Sequence, residues 1–528
     1  MISSNLTAIA GHLAFRRISR RTHRRNLATP RAFAKAASVA ALLSIAGCAV
    51  GPDFKHPAAP EAAGYAAEPL PAKTEATAVG GGESQRFLQG SDIPGQWWTL
   101  FHSELLNALI EEALKANPDL QAAQAALRVA RENVGAQQGA YYPSIGANFS
   151  GSRQKVPNDL ASPASSGASR VTLYSASVDV SYTVDVFGGT RRQVESLEAL
   201  AEAQRFQLEA AYLTLTSNVA GAAVQEASLR GQIAATQRII AIERDSLDLL
   251  RREKELGQVA DADVAAQEAA LAQVEQTLPG LQKQLAQQRD LLAALSGHFP
   301  SEEPVGHFEL AALQLPQDLP ISFPSRLVEQ RPDVRAAEAN LHAASAQIGV
   351  AIANRLPNIT LSASDGSVAE KIGQLFTAGT GIWSVAAGVT QPIFQGGTLL
   401  HKQRAAEAAY EQAAAQYRSA VLIAFQNVAD SLRALQQDAN ALKAAAVAER
   451  AAARSLEIAR GQLRLGQITY LALLNAEQAY QQAQVNLIQA QAGRYADTVA
   501  LFQALGGGWW NRSDVSSTKD TTQRSVEQ

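Results

Sequence analysis

Two rhythms of apolar and polar positions run along this chain, and each occurs twice. From Pro118 to about Tyr141 apolar residues recur at helical spacing, with Asn117 suited to cap the first turn and Pro118 to occupy it. A period of two follows. Across Thr172–Val186 the even positions from Tyr174 onward are apolar or aromatic, and the odd ones, apart from Leu173, are Ser, Thr or Asp. That alternation is far longer than an ordinary strand and predicts an extended β-ribbon. Shorter alternations precede it at Ile145, Ala147 and Phe149, and the pattern returns at Ile359, Leu361, Ala363 and at Trp383, Val385, Ala387, Val389, Ile393. The polar stretches 150–170 and 364–380 between them read as hairpin loops. After each ribbon pair the helical period resumes, over about 188–255 and about 398–464, with a heptad-like seam from Val194 and Leu197 to Val219 and Ala222. Gly257 and Gly466 break these helices, and a shorter helix then runs to Gly297 or Gly507.

The order of landmarks identifies a duplicated unit. Asn117-Pro118-Asp119-Leu120 returns as Arg331-Pro332-Asp333-Val334, and Tyr142-Pro143-Ser144-Ile145 as Leu356-Pro357-Asn358-Ile359. Leu256-Gly257-Gln258-Val259 is answered by Leu465-Gly466-Gln467-Ile468. The spacing is far too long for a solenoid repeat, so the repeated object is of domain size. The reading divides the chain into a leader (1–47), an extended segment (48–103), a first unit (104–297), a linker (298–317), a second unit (318–508) and a flexible tail (509–528).

A ribbon aliphatic on one face and small and polar on the other suits a barrel wall between lipid and water; a soluble sandwich strand with one wet face would alternate alike. Four strands cannot close a barrel, since the smallest spanning barrels have about eight. An open edge in lipid would leave backbone groups unpaired. The wall is therefore expected to be shared, with three copies supplying twelve strands above twelve helical columns. The fold class expected is mainly α with membrane β.

Composition and charge narrow the function. Hydrophobic residues are 47% of the chain and aromatics only 6%, which favours long helices packed through small side chains. Residues 1–47 hold eight cations and no acid, so removing them takes the formal net charge from −3 to −11, an unpromising surface for nucleic acid. Behind that basic stretch the apolar run Ala36–Ala46 is too short to span a bilayer as a helix, and it ends in Gly47-Cys48, the chain's one cysteine. Ile45-Ala46-Gly47-Cys48 resembles a bacterial lipobox. That resemblance implies cleavage before Cys48, with an S-diacylglycerol and an N-acyl chain added to it; Ala49, where an Asp would retain the protein at the inner membrane, implies the outer membrane. A single cysteine excludes an intrachain disulfide.

Nearly all of the chain after the leader resembles the TolC/OprM class of outer-membrane factors, in its lipidated NodT-type branch. The carriers are Cys48-Ala49-Val50-Gly51-Pro52-Asp53-Phe54, Trp97-Trp98 to Phe101, Asn117-Pro118-Asp119-Leu120, Val184-Asp185-Val186-Phe187-Gly188, and Ala504-Leu505-Gly506-Gly507-Gly508-Trp509. The resemblance implies a homotrimeric duct of a tripartite efflux pump. Its implied partners are a periplasmic adaptor and an inner-membrane pump of the RND type. By the same resemblance Leu471 matches an apolar constriction at the periplasmic end. Asn475 stands where an acidic ring is expected, and Asp261 and Asp263 of the first-unit turn are candidates to supply the charge instead. The turns at Gly257 and Gly466 are the expected adaptor contacts.

No catalytic motif is present: neither His-Glu-x-x-His, nor a phosphate-binding Gly-Lys-Ser/Thr, nor Gly-x-Ser-x-Gly. The nearest to a metal site is His298 and His307 around Glu302 and Glu303, which reads better as a solvated connector. No enzyme, cofactor or metal is expected beyond the acyl groups on Cys48. The rival readings are the same duct serving type I protein secretion and a lipid-anchored periplasmic coiled-coil adaptor.

Overall fold

In this computed structural model the residues described are 49–62, 64–66, 68–155, 170–302 and 306–513. The leader, the lipobox cysteine Cys48, Glu303 and residues 514–528 lie outside them. In chain order the elements are β1 (Arg86–Gln89), α1 (Glu104–Ala116), α2 (Pro118–Gln138), β2 (Ser144–Lys155), β3 (Arg170–Val184), α3 (Gly189–Glu255) and α4 (Asp261–Leu295). There follow β4 (Asp318–Ile321), α5 (Pro324–Gln330), α6 (Pro332–Ala353), β5 (Asn358–Ala369), β6 (Gly381–Thr390), α7 (Thr398–Arg464) and α8 (Tyr470–Ala504). The second unit repeats the first almost element for element. α3 and α7 each have 67 residues, and α4 and α8 each have 35. At about 1.5 Å per residue the long helices reach about 100 Å.

Each long helix lies beside two shorter ones stacked end to end, and the joints are built by the duplicated landmarks. Asn117 caps α2 by accepting from the amides of Asp119 (2.9 Å) and Leu120 (3.0 Å), while its Nδ2 donates to the terminal carbonyl of Leu295 on α4 at 3.0 Å. One amide side chain thus satisfies orphan groups on two helices. At the equivalent joint Arg331 donates to the Ala504 carbonyl at 2.9 Å and forks onto Asp333 at 2.9 and 2.6 Å. Backbones approach so closely here that a Cβ on Gly297 would come within 2.6 Å of the Ala116 carbonyl oxygen.

The strands form one antiparallel sheet, ordered β2-β3-β5-β6, so the two hairpins meet through β3 and β5. A separate parallel pair, β1 with β4, ties the N-terminal segment to the start of the second unit. The main core lies at that level, where Trp97, Trp98, Phe101, Ile110, Leu319 and Phe502 are buried. Trp97 stacks on Phe502 with centroids 5.3 Å apart.

Three expectations need correction. The Ala-, Pro- and Gly-rich stretch from 51 to about 90, whose composition predicts an extended and poorly ordered segment, is extended but forms a strap packed on the helices. Asp53 pairs with the buried Arg192 at 2.6 Å and His56 with Glu338 at 2.6 Å. Further along the strap the fully buried Arg494 of α8 donates to Gln85 at 2.8 Å and to the Glu83 carbonyl at 3.0 Å. Next, the flexible tail does not begin at 509. Trp509 is buried, donates its ring N–H to the Gln330 carbonyl at 2.7 Å and meets Phe206 edge-on, while Arg512 pairs with Glu209 at 2.8 Å. Finally, the strands invade the expected loops: β2 continues through 150–155 and β5 through 364–369.

Candidate functional site

Two regions stand apart from the buried core: the sheet and the helical tip at the opposite end. Directly paired residues share a sheet face. One face carries Ile145–Val180–Ala363–Val385 across all four strands, with Tyr182–Leu361–Ala387 and Val184–Ile359–Val389 beside it. The other carries Ser144–Ser181–Ser362–Ala386, Gly146–Asp179–Ser364–Ser384 and Thr183–Thr360–Gly388. Asp365 and Ser367 interrupt the apolar face, Ile382, Val368, Leu173 and Val171 interrupt the polar one, and beyond Phe149 and Ala176 the apolar face itself turns polar. The apolar face is bare: Ile145, Phe149, Trp383, Val385 and Val389 are each at least 60% exposed. Both edges of the sheet, β2 and β6, lack a neighbour among the described strands. No helix among the described residues is long and apolar enough to cross a membrane.

At the tip, Gly257 (φ +74°) and Gly466 (φ +68°) end α3 and α7 in the left-handed conformation. Gln258 N–H donates to the Glu253 carbonyl at 2.8 Å and Gln467 N–H to the Gln462 carbonyl at 2.9 Å, the bonds that close a helix terminus of this kind. No atom lies near either missing Cβ, so the backbone alone requires glycine. The adjoining Leu256 and Leu465 stand exposed at the two apices.

Leu471 and Asn475 lie one turn apart on α8, both exposed, and point away from the buried Leu473, Leu474 and Glu477. The two acidic candidates are occupied locally. Asp261 pairs with Lys254, and the Asp263 carboxylate accepts from the Ala260 amide at 3.3 Å, capping α4. His298 and His307 are not brought together: His298 pairs with Glu112 at 3.5 Å, and Arg230 donates to His307 at 2.7 Å. No group of three or more metal-ligating side chains is found among the described residues.

Sequence reasoning missed the polar knot that joins the two helical hairpins just above the tip. Glu243 of α3 and Glu477 of α8 are both buried and face each other, and burial raises both carboxyls above their ordinary range. Burial first, then the neighbouring carboxylate, pushes Glu477 up to about 7, although Arg460 donates to it at 3.2 Å. Gln267 of α4 donates to the Glu243 carboxylate at 2.5 Å and accepts from the Tyr470 hydroxyl at 3.0 Å. Four helices are thus tied by five side chains.

A sheet bare and apolar on one face, polar on the other and unclosed at both edges, carried on helices about 100 Å long by the usual rise, defines a membrane-inserted transport duct. The chain belongs to the outer membrane efflux protein family, whose model matches residues 109–298 and 323–507. It is 30% identical to the probable efflux pump outer membrane protein TtgC of Pseudomonas putida, over 89% of this chain and 94% of that one. Among solved structures it resembles the outer-membrane channel OprN, with a TM-score of 0.78 and 28% identity over 88% of this chain and all of that one. It also resembles the MtrE outer membrane channel of Neisseria gonorrhoeae in its open state, with a TM-score of 0.73 and 28% identity over 88% of this chain and all of that one. The protein is accordingly an outer-membrane component of an efflux pump, a conduit and not an enzyme. The scaffold reading is thereby set aside.

Proposed function

We propose that three copies close a twelve-stranded barrel through their β2 and β6 edges and continue it as a periplasmic tunnel of helices. The observation that carries this is the open sheet itself. In lipid each unpaired edge amide or carbonyl costs several kcal/mol, and sister copies supply the missing partners. The polar face then lines water and the apolar face meets acyl chains. Diacylglycerol and an acyl chain on Cys48 anchor the strap in the same membrane. The duct receives small molecules, drugs among them, from a periplasmic adaptor and an RND-type inner-membrane pump, with the tips at Gly257 and Gly466 as the adaptor contacts. Efflux is preferred to type I protein secretion because the family and the relatives above are efflux components.

In the resting duct Leu471 and Asn475, exposed on one face of α8, narrow the periplasmic aperture. Asp261 and Asp263, held by Lys254 and the α4 amide, contribute less than free carboxylates would. The test is purified protein in planar bilayers. A trimeric species that conducts poorly, and conducts more when Leu471→Ser and Asn475→Ala are combined, supports the reading. A monomer that releases no solute from liposomes overturns the duct, and an unchanged closed state overturns the aperture.

A further inference from the structure

On the lipid side of β2 and β3 the apolar run ends abruptly in charge. Beyond Phe149–Ala176 come Gly151–Tyr174, then Arg153–Thr172, then Lys155–Arg170, all on the face that carries Ile145 and Val180. Arg153, Lys155 and Arg170 are exposed, and among the described residues none is paired with a carboxylate. Lys155 and Arg170 are direct cross-strand partners, an arrangement of like charges that destabilises a sheet unless an anion sits between them. The Tyr174 ring lies over Gly151, where an added Cβ would meet it at 3.1 Å. From Val184 to Tyr174 the strand rises about 34 Å, or about 25 Å along the membrane normal at the usual tilt, the height of a barrel's apolar band. Tyr174 therefore stands where interfacial aromatics stand. The three cations lie about 5–10 Å further out by the same rise and tilt, at the depth of lipid phosphates and at the end of the sheet remote from the helices.

We propose that Arg153, Lys155 and Arg170 form a cradle for the phosphates of an anionic lipid of the outer leaflet, one cradle on each subunit. Guanidinium forks on two strands with an ammonium between them suit a phosphomonoester on a flat headgroup better than a lone point charge does. The inference rests on the barrel proposed above, because only a lipid-facing sheet brings this face to a headgroup.

The test titrates full-length protein in neutral detergent with fluorescent diphosphorylated lipid A, the same lipid stripped of phosphate, and inorganic pyrophosphate as competitor. The diphosphorylated lipid should bind, and Arg153→Gln, Lys155→Gln and Arg170→Gln combined should weaken it about a hundredfold, at about fivefold per cation beside an anionic surface. Arg153→Lys, Lys155→Arg and Arg170→Lys combined should keep binding within a few fold. Equal affinity for the phosphate-free lipid, or for the glutamine variant, overturns the cradle. Displacement by equimolar pyrophosphate overturns the lipid as occupant and leaves a site for free phosphate. Conductance of the same preparations separates the two ideas: a conducting glutamine variant shows the barrel intact whichever way the lipid titration falls.

Discussion

Single residues carry much of this architecture by conformational necessity. Gly257 and Gly466 turn the chain at the tip with positive φ and nothing packed on them. Alanine at either should cost about 1 kcal/mol from the left-handed backbone alone, asparagine less and valine more. Hydrogen exchange of the neighbouring helix ends would read that order. Glu477 gives a different signature. Its pKa is raised in the folded state, so between about 4.5 and 7 the folded protein holds a proton that the unfolded chain has released. Stability therefore falls as pH rises through that window. Asp497 on α8, also pushed to about 7 by burial and then by its hydrogen bond to Asp438, adds to the same slope. Melting temperatures at pH 5, 6, 7 and 8 should decline for the wild type and flatten when Glu477→Gln and Asp497→Asn are combined; an unchanged slope would show that neither pair is protonated.

Helices and strands meet at joints and faces whose strength follows from those residues. The Asn117 and Arg331 joints do one job with different chemistry, a cap amide in the first unit and a buried guanidinium in the second. Asn117→Ala should cost about 1–2 kcal/mol as a lost cap, and Arg331→Ala about 2–3 kcal/mol because charge-assisted bonds are stronger. Chemical denaturation of the two variants compares them directly. In the sheet, Val180→Arg should cost about 2–4 kcal/mol in a bilayer, while Ser181→Arg on the opposite face should be nearly neutral. Most of these elements are legible in the sequence. The paired prolines, the glycine turns and the period-two ribbons locate helices and strands closely, since each is a local backbone signal. The strand ends at 150–155 and 364–369 are not, because Ser, Gly and Asp that break the apolar alternation look like a loop. Trp509 reads as tail by its position, although two adjacent tryptophans are a poor composition for a solvated one.

Across the whole molecule, the sequence is silent about pairs brought together by topology. Glu243 and Glu477 come from different units of the duplicated chain, and neither has a local pattern that marks it. Leu471 and Asn475 are visible only through family resemblance, and the structure adds that both lie on the exposed face of α8. The cationic rim needs the strand register, because only pairing shows that Arg153, Lys155 and Arg170 share the face of Ile145 and Val180. The proposed duct requires the sheet to stand between acyl chains and water. Spin labels placed singly at each position from Ser177 to Tyr182, in proteoliposomes, would show whether it does. A lipid-facing wall requires oxygen-accessible labels at 178, 180 and 182, alternating with labels at 177, 179 and 181 that meet a water-soluble relaxant. Labels equally wet at all six positions would rule such a wall out.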